Sequence, residues 1–141
     1  MALILADTSA WVEFDRATGS AADVRLQKLI ATTDTVATTE PVMMEIFAGA
    51  RDDHRLGDLR RLLLRFRLLP FDPVVDFDGA ARLYRTCRKS GVTPRGLIDC
   101  MIGAVALRHG ASVLAHDVDF SRMASVLSLR LDAASLRAPS P

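Results

Sequence analysis

The chain opens with a run of apolar residues, Ala2-Leu3-Ile4-Leu5-Ala6, that stops abruptly at Asp7-Thr8-Ser9. A run without polar alternation fits a strand buried on both faces, and such strands belong to parallel sheets covered by helices. This requirement constrains everything downstream, because the remaining residues must supply parallel neighbours and the helices that cover them. It also sets Asp7 beyond the carboxyl end of a central strand, where open α/β sheets bind ligands.

The rest of the chain matches that demand. Its 141 residues suit one domain, and a composition of 50% hydrophobic and 25% charged residues allows a well-filled core. After Asp7 the pattern turns helical, with Ser9 as the expected N-cap of a short helix ending near residue 14 or 15. A second helix is expected over 22–31 with Val24, Leu26, Leu29 and Ile30 inward, then a β-branched strand over 35–39. Pro41 opens a helix over 41–50 that is apolar nearly all round, and an amphipathic helix over 53–66 follows. Residues 68–71 read as a short strand or a connector. A helix over 76–90 stops at Gly91, and beyond a loop come a helix over 97–107 and a buried strand over 111–115. A helix near 121–126 and a strand over 129–131 complete the pattern. Strands alternating with helices predict a three-layer, doubly wound α/β fold with a mainly parallel sheet of about five strands. One domain is expected over 1–132, with 133–141 as a flexible C-terminal tail.

Several function classes are disfavoured by composition. The net charge of +1 falls short of the basic balance that by itself marks a nucleic-acid binder. Arg55, Arg60, Arg61, Arg65 and Arg67 lie along or just beyond one helix, as either a solvated face or a phosphate- or partner-facing surface. Cys87 and Cys100 read as reduced structural thiols. The first apolar run is too short for a signal peptide, and the most hydrophobic later window, 97–115, carries Asp99, Arg108 and His109, unlike a membrane span. A cytoplasmic location without membrane contact is expected.

The carboxylates are more informative. Glu45 lies mid-helix with Pro41, Val42, Ala48 and Gly49 as its neighbours at three and four residues, and none of these can pair with it. Asp99 stands in the first turn of a helix apolar on every other face, where an ionised carboxylate costs several kcal/mol unless compensated. The helix N-terminus with a salt bridge from Arg95 is one compensation, and a metal ion is the other. Asp117 and Asp119 follow the later buried strand and repeat the opening pattern, whereas Asp76 and Asp78 read as ordinary helix N-terminal acids. Right-handed crossovers bring strand ends to one edge, so Asp7 and Asp117 should be neighbours with Glu45 and Asp99 above them. Carboxylates gathered in this way repel one another, and a divalent cation removes the conflict. No His-x3-His or Cys-x2-Cys spacing is present, and an all-oxygen set suits Mg²⁺ or Mn²⁺. Phosphodiester hydrolysis is the natural reaction, because such an ion orients the phosphate, lowers the pKa of a bound water and offsets charge on the leaving oxygen.

Taken together, Asp7-Thr8-Ser9-Ala10, Glu45, Asp99 within Leu97-Ile98-Asp99-Cys100-Met101-Ile102, and Asp117-Val118-Asp119-Phe120 resemble the ordered acidic motifs of PIN domains. The resemblance covers almost the whole chain, and its size and motif spacing are most similar to the VapC toxins of type II toxin–antitoxin pairs. It implies an Mg²⁺- or Mn²⁺-dependent endoribonuclease that cuts RNA to inhibit translation and growth, is often a homodimer, and is inhibited by a cognate VapB antitoxin. Carried over residue by residue, Asp7, Glu45, Asp99 and Asp117 match the catalytic quartet. Asp7, Asp99 and Asp117 would hold the metal, and Asp119 is a further ligand or a turn residue. Ser9 matches the hydroxyl that supports the first Asp, and Arg95 is a contact for an RNA phosphate or a partner of Asp99. His116 is assigned no role as a base. A receiver-like signalling domain would need paired acids after the first strand and a lysine at a later strand end, yet Lys28 and Lys89 are the only lysines. A catalytically inactive nucleic-acid-binding module should show gaps in the acidic set, and none is evident.

Overall fold

The computed structural model describes residues 2–139. β1 (Ile4–Ala6) is buried along its length and is flanked on both sides by parallel partners, β2 (Val36–Thr38) and β4 (Ser112–Leu114). β3 (Arg67–Leu68) adds to β2, so the order is β3-β2-β1-β4. Four strands therefore stand where about five were expected. The missing one is reduced to a single parallel bridge between Leu131 and Val113, because the chain turns away at Asp132. There the Asp132 carboxylate accepts from Ala134 N at 3.0 Å and pairs with Arg25 at 3.0 Å.

The covering helices are α1 (Thr8–Asp15), α2 (Ala21–Thr32), α3 (Glu40–Ala48), α4 (Asp53–Leu63), α5 (Val75–Lys89), α6 (Leu97–His109) and α7 (Val118–Ala124). Leu5, Ala37, Val113 and Leu114 of the sheet meet Trp11, Leu26, Leu63, Ile102, Val105 and Phe120 in one core, all of them buried. A smaller cluster of Ala80, Cys87, Cys100, Ala104 and Met123 joins α5 to α6, and both thiols are free and buried. Gly110 ends α6 in the left-handed region, φ 65°, and turns the chain into β4.

Several expectations are corrected. Asp7, not Ser9, caps α1: it is extended (φ −69°, ψ 160°) and its carboxylate accepts from Ser9 N, so one residue serves as both strand exit and helix entry. Val24 is 56% exposed, because α2 buries Ala22, Leu26 and Leu29, a stripe that Val24 stands outside. α3 buries Pro41, Val42 and Ile46 but leaves Met44 half exposed, so it is not buried all round. α7 begins at Val118 rather than near 121 because Asp117 caps it.

Residues 133–138, expected to lie in a flexible tail, are hydrogen-bonded to the sheet edge instead. Ser135 Oγ accepts from Ala115 N and donates to Val113 O, both at 3.1 Å, while Leu136 N donates to Ala115 O at 2.9 Å. Ala138 N donates to Ser121 Oγ at 3.0 Å. β4 is an edge strand whose outward groups need partners, and this segment supplies them. Residues 140 and 141 of that expected tail lie outside the described residues. Among the described residues no helix is long and apolar enough to cross a membrane.

The strand order reverses about β1: the chain runs from β1 to β2 and β3 on one side and returns to β4 on the other. The crevice beyond the ends of β1 and β4 is the position where such sheets bind ligands. Asp7 N donates to Leu114 O at 2.9 Å across that junction. Ser135→Ala leaves Ala115 N without its buried partner, while Val113 O keeps the bond from Asp132 N at 2.8 Å, and should lower stability by about 1–3 kcal/mol in urea denaturation. Unchanged stability would show that the 133–138 segment is not docked in solution.

Candidate active site

Asp7 is only 3% exposed. Its Oδ2 accepts from Ser9 N at 3.0 Å and from Ser9 Oγ at 2.6 Å, and Ser9 Oγ in turn accepts from His116 N at 2.8 Å. One hydroxyl thus couples the exits of β1 and β4. Asp7 Oδ1 is buried without a hydrogen-bond partner. Burial pushes the Asp7 carboxyl up to about 6, Glu45's charge adds to the rise, and the bonds from Ser9 and the Thr8 backbone oppose it.

Thr8 Oγ1 donates to Glu45 Oε1 at 2.7 Å, tying the middle of α3 to the start of α1. Asp99, in the first turn of α6, is raised to about 7, chiefly by burial and then by the charges of Asp7, Asp117, Glu45 and Asp119. Its titration therefore registers every other carboxylate of the expected set. The structure does bring Asp7, Glu45, Asp99, Asp117 and Asp119 into one electrostatic neighbourhood at the switch point of the sheet. Among the described residues, however, no three His, Cys, Asp or Glu side chains close into a ready-made cation-binding group.

Arg95 does not pair with Asp99. Its Nη2 donates to Asp117 Oδ1 at 2.5 Å, and its backbone N donates to Asp119 Oδ2 at 2.9 Å. Asp117 Oδ1 also accepts from Asp119 N at 2.9 Å, the bond that caps α7.

Three residues in this region carry contacts that the sequence reading missed. Thr8 is the partner that Glu45 lacked on its own helix, and Asp7 was not identified as the cap. Glu13 Oε1 lies 3.3 Å from His116 Nε2, a second tie between α1 and the β4 exit. The spacing from Ser9 to Glu13 is i,i+4, which places both on one helix face and was the available signal. The basic helix is partly accounted for inside the protein: Arg55 pairs with Asp15, Arg61 with Asp58, and Arg60 lies over the Phe47 ring at 5.3 Å.

A cleft of about 750 Å³ between α1, α3 and α4 opens onto Thr8 and Glu45. Trp11, Ile46, Leu59 and Leu62 line its apolar part, with Asp15, Arg16, Arg51 and Asp58 among its charged residues.

The donors suit a hard divalent cation in two respects. The set is all oxygen, and an unpartnered Asp7 Oδ1 together with an Asp99 carboxyl raised by burial and by its acidic neighbours is the arrangement that positive charge relieves.

Comparisons with known proteins agree with this geometry. The PIN-domain family profile matches residues 4–126. The chain is 44% identical over 136 residues to ribonuclease VapC11 of Mycobacterium tuberculosis, covering 96% of this chain and all of the relative. Among solved structures it resembles VapBC2 of Rickettsia felis, bound to a DNA fragment from its promoter, with a TM-score of 0.74, 16% identity and coverage of 92% and 97% of the two chains. It also resembles Mycobacterium tuberculosis VapC20, a sarcin-ricin loop cleaving toxin, with a TM-score of 0.65, 21% identity and coverage of 90% and 98%.

The raised carboxyls make metal-free stability pH-dependent. Folded, the Asp7 and Asp99 carboxyls are pushed up to about 6 and about 7, whereas an unperturbed aspartate titrates at 3.8. Between these limits the folded state binds more protons, so the stability these groups contribute is full below the unfolded value and is lost as pH rises through the folded ones. Thermal melts in EDTA should show the wild-type Tm falling between about pH 5 and pH 8, with Asp99→Asn above wild type at the upper end by about 2–8 °C. An Asp99→Asn protein that melts below wild type at high pH would contradict the assignment.

Proposed function

The chain belongs to the PIN-domain family, on its VapC ribonuclease branch, and from that premise we propose that it is a divalent-metal-dependent endoribonuclease acting as the toxin of a type II toxin–antitoxin pair. The observation that carries this reading is the buried, unpartnered Oδ1 of Asp7, a residue whose charge acts on the half-buried Asp99. Asp7, Asp99 and Asp117 would hold Mg²⁺ or Mn²⁺, with Glu45 completing the acidic quartet. An ion held there would supply Lewis acidity for the scissile phosphate and for an attacking water.

The chain's own residues prepare that chemistry. Ser9 occupies Oδ2 of Asp7 and so directs Oδ1 away from its internal bonds. Thr8 holds one oxygen of Glu45. The N-terminus of α6 sets its dipole under Asp99, a position that favours a negative group or a phosphate. His116 is paired with Glu13 and adjoins Ser9 through its backbone, so it acts here as a brace between strand exits.

The same reading includes a VapB-like antitoxin, supported by the toxin–antitoxin complexes among the solved relatives. The cleft between α1, α3 and α4 suits an amphipathic segment, given its apolar lining and the mixed charges of Asp15, Arg16, Arg51 and Asp58 around it. An occupant reaching Thr8 and Glu45 would cover the acidic site. Dimerisation with a second copy would draw on the exposed apolar residues Val74, Val75 and Phe77 at the start of α5.

The test is cleavage of total RNA by the purified protein with Mg²⁺ or Mn²⁺, with EDTA, and with Asp99→Asn. Wild type should cut only with the ion, and the folded variant should lose activity by roughly a hundredfold or more. Full activity in Asp99→Asn would remove that residue from the site. RNA binding without cleavage would favour the inactive binding module, and EDTA-resistant cleavage would exclude the metal.

A further inference from the structure

Arg95 lies in the loop ahead of α6, and three of its nitrogens face two carboxylates on another part of the chain. Its backbone N donates to Asp119 Oδ2 at 2.9 Å, its Nε lies 3.3 Å from the same oxygen, and its Nη2 donates to Asp117 Oδ1 at 2.5 Å. Asp119 is 4% exposed, and its Oδ1 lies 3.5 Å from Arg122 Nη1. Asp119 N also donates to Asp117 Oδ1. The loop that carries the chain into α6 and Asp99 is therefore joined to the loop that leaves β4 with Asp117 by one guanidinium and one buried carboxylate.

We propose that Asp119 and Arg95 are positioning residues of the ribonuclease site: Asp119 holds Arg95, and Arg95 fixes Asp117 against Asp99. On this view Asp119 is not a metal ligand and Arg95 is not an RNA contact. The proposal rests on the reading of Asp7, Asp99 and Asp117 as the set that holds the ion.

Three physical features support it. Both Asp119 oxygens already face cationic or N–H donors, which satisfies a carboxylate that burial would otherwise penalise. The planar guanidinium reaches two carboxylates from one fixed fork, a geometry that an ammonium cannot reproduce. All the bonds to Asp117 fall on Oδ1, so Oδ2 takes no part in the junction and stays available to face the crevice. The Arg95 side chain is 68% exposed, so a role as a phosphate contact is the alternative that an experiment must exclude.

The experiment uses the full chain with Arg95→Lys and Asp119→Asn, and Asp99→Asn as reference, each checked for folding by circular dichroism. Both positioning variants should lose kcat by about 10–100-fold and bind Mn²⁺ more weakly by a similar factor in calorimetry without RNA. KM for RNA should stay within about twofold, because no substrate contact is removed. In Arg95→Gln, which removes the charge that Arg95→Lys keeps, the dependence of log(kcat/KM) on log salt should hold its slope, whereas loss of one phosphate contact would flatten it by about 0.7–0.9. Arg95→Lys with wild-type kcat, or Arg95→Gln with raised KM and a shallower salt slope, overturns the proposal. So does Asp119→Asn abolishing Mn²⁺ binding while Arg95→Lys leaves it intact, which would make Asp119 a ligand. Because Arg95 is exposed, Arg95→Lys decides the matter even where Asp119→Asn does not fold. An Asp99→Asn protein with full activity and Mn²⁺ binding would instead overturn the underlying reading of the site, and this inference with it.

Discussion

The hydroxyl of Ser9 is the contact on which the site's geometry depends. It donates to Asp7 Oδ2 and accepts from His116 N, so the exits of β1 and β4 meet through one side chain at the point where the sheet reverses its order. Asp7 sits at that junction because the strand must end in a residue that can also cap α1, and aspartate does both with a single extended backbone conformation. The cost is a buried carboxylate with an unpartnered oxygen. Nothing in the core compensates it, and a bound cation would.

That local conflict has wider consequences. Thr8, next in the chain, draws Glu45 to the same edge, and α6 brings Asp99 there from a helix that is otherwise apolar. Burial and mutual repulsion raise the carboxyls of Asp7 and Asp99, so the metal-free fold is more stable at lower pH, where protons compete with an ion for the site. Stability without metal and readiness to bind it are therefore opposed at the same atoms. The β4 exit is managed differently, since Asp117 and Asp119 have internal cations and N–H groups as partners and carry no such unrelieved burial.

Much of this was legible from residue order. The buried parallel strands, the alternation with helices and the acids at strand ends follow from local patterns, and so the fold class was readable and Asp7, Glu45, Asp99 and Asp117 stood out as candidates. The docked 133–138 segment was not, because Ser135 finds its partners at Val113 and Ala115, some twenty residues earlier in the chain, and a run of small residues leading into Pro139-Ser140-Pro141 reads locally as a frayed end. The exposure of Val24 depended on which stripe of α2 faces α1, and an apolar residue does not report that by itself. The last strand shrank to one bridge because Asp132 binds Arg25 on α2, a contact between residues far apart in the chain.

What the sequence by itself determined is the chemistry: a central strand that must be buried, acids at its exit and at that of a second such strand, and an all-oxygen set fit for a hard cation. Periodicity and residue type act over a few residues, and these features live at that range. Only the tertiary structure decided the pairings. Arg95 stands four residues before Asp99, yet its guanidinium turns to Asp117 and Asp119, and Glu45 found Thr8 rather than a neighbour on its own helix. The physical reason is that a charged or polar side chain near a core takes whichever partner the packing of strands and helices brings within about 3 Å, and that choice is made across the fold rather than along the chain.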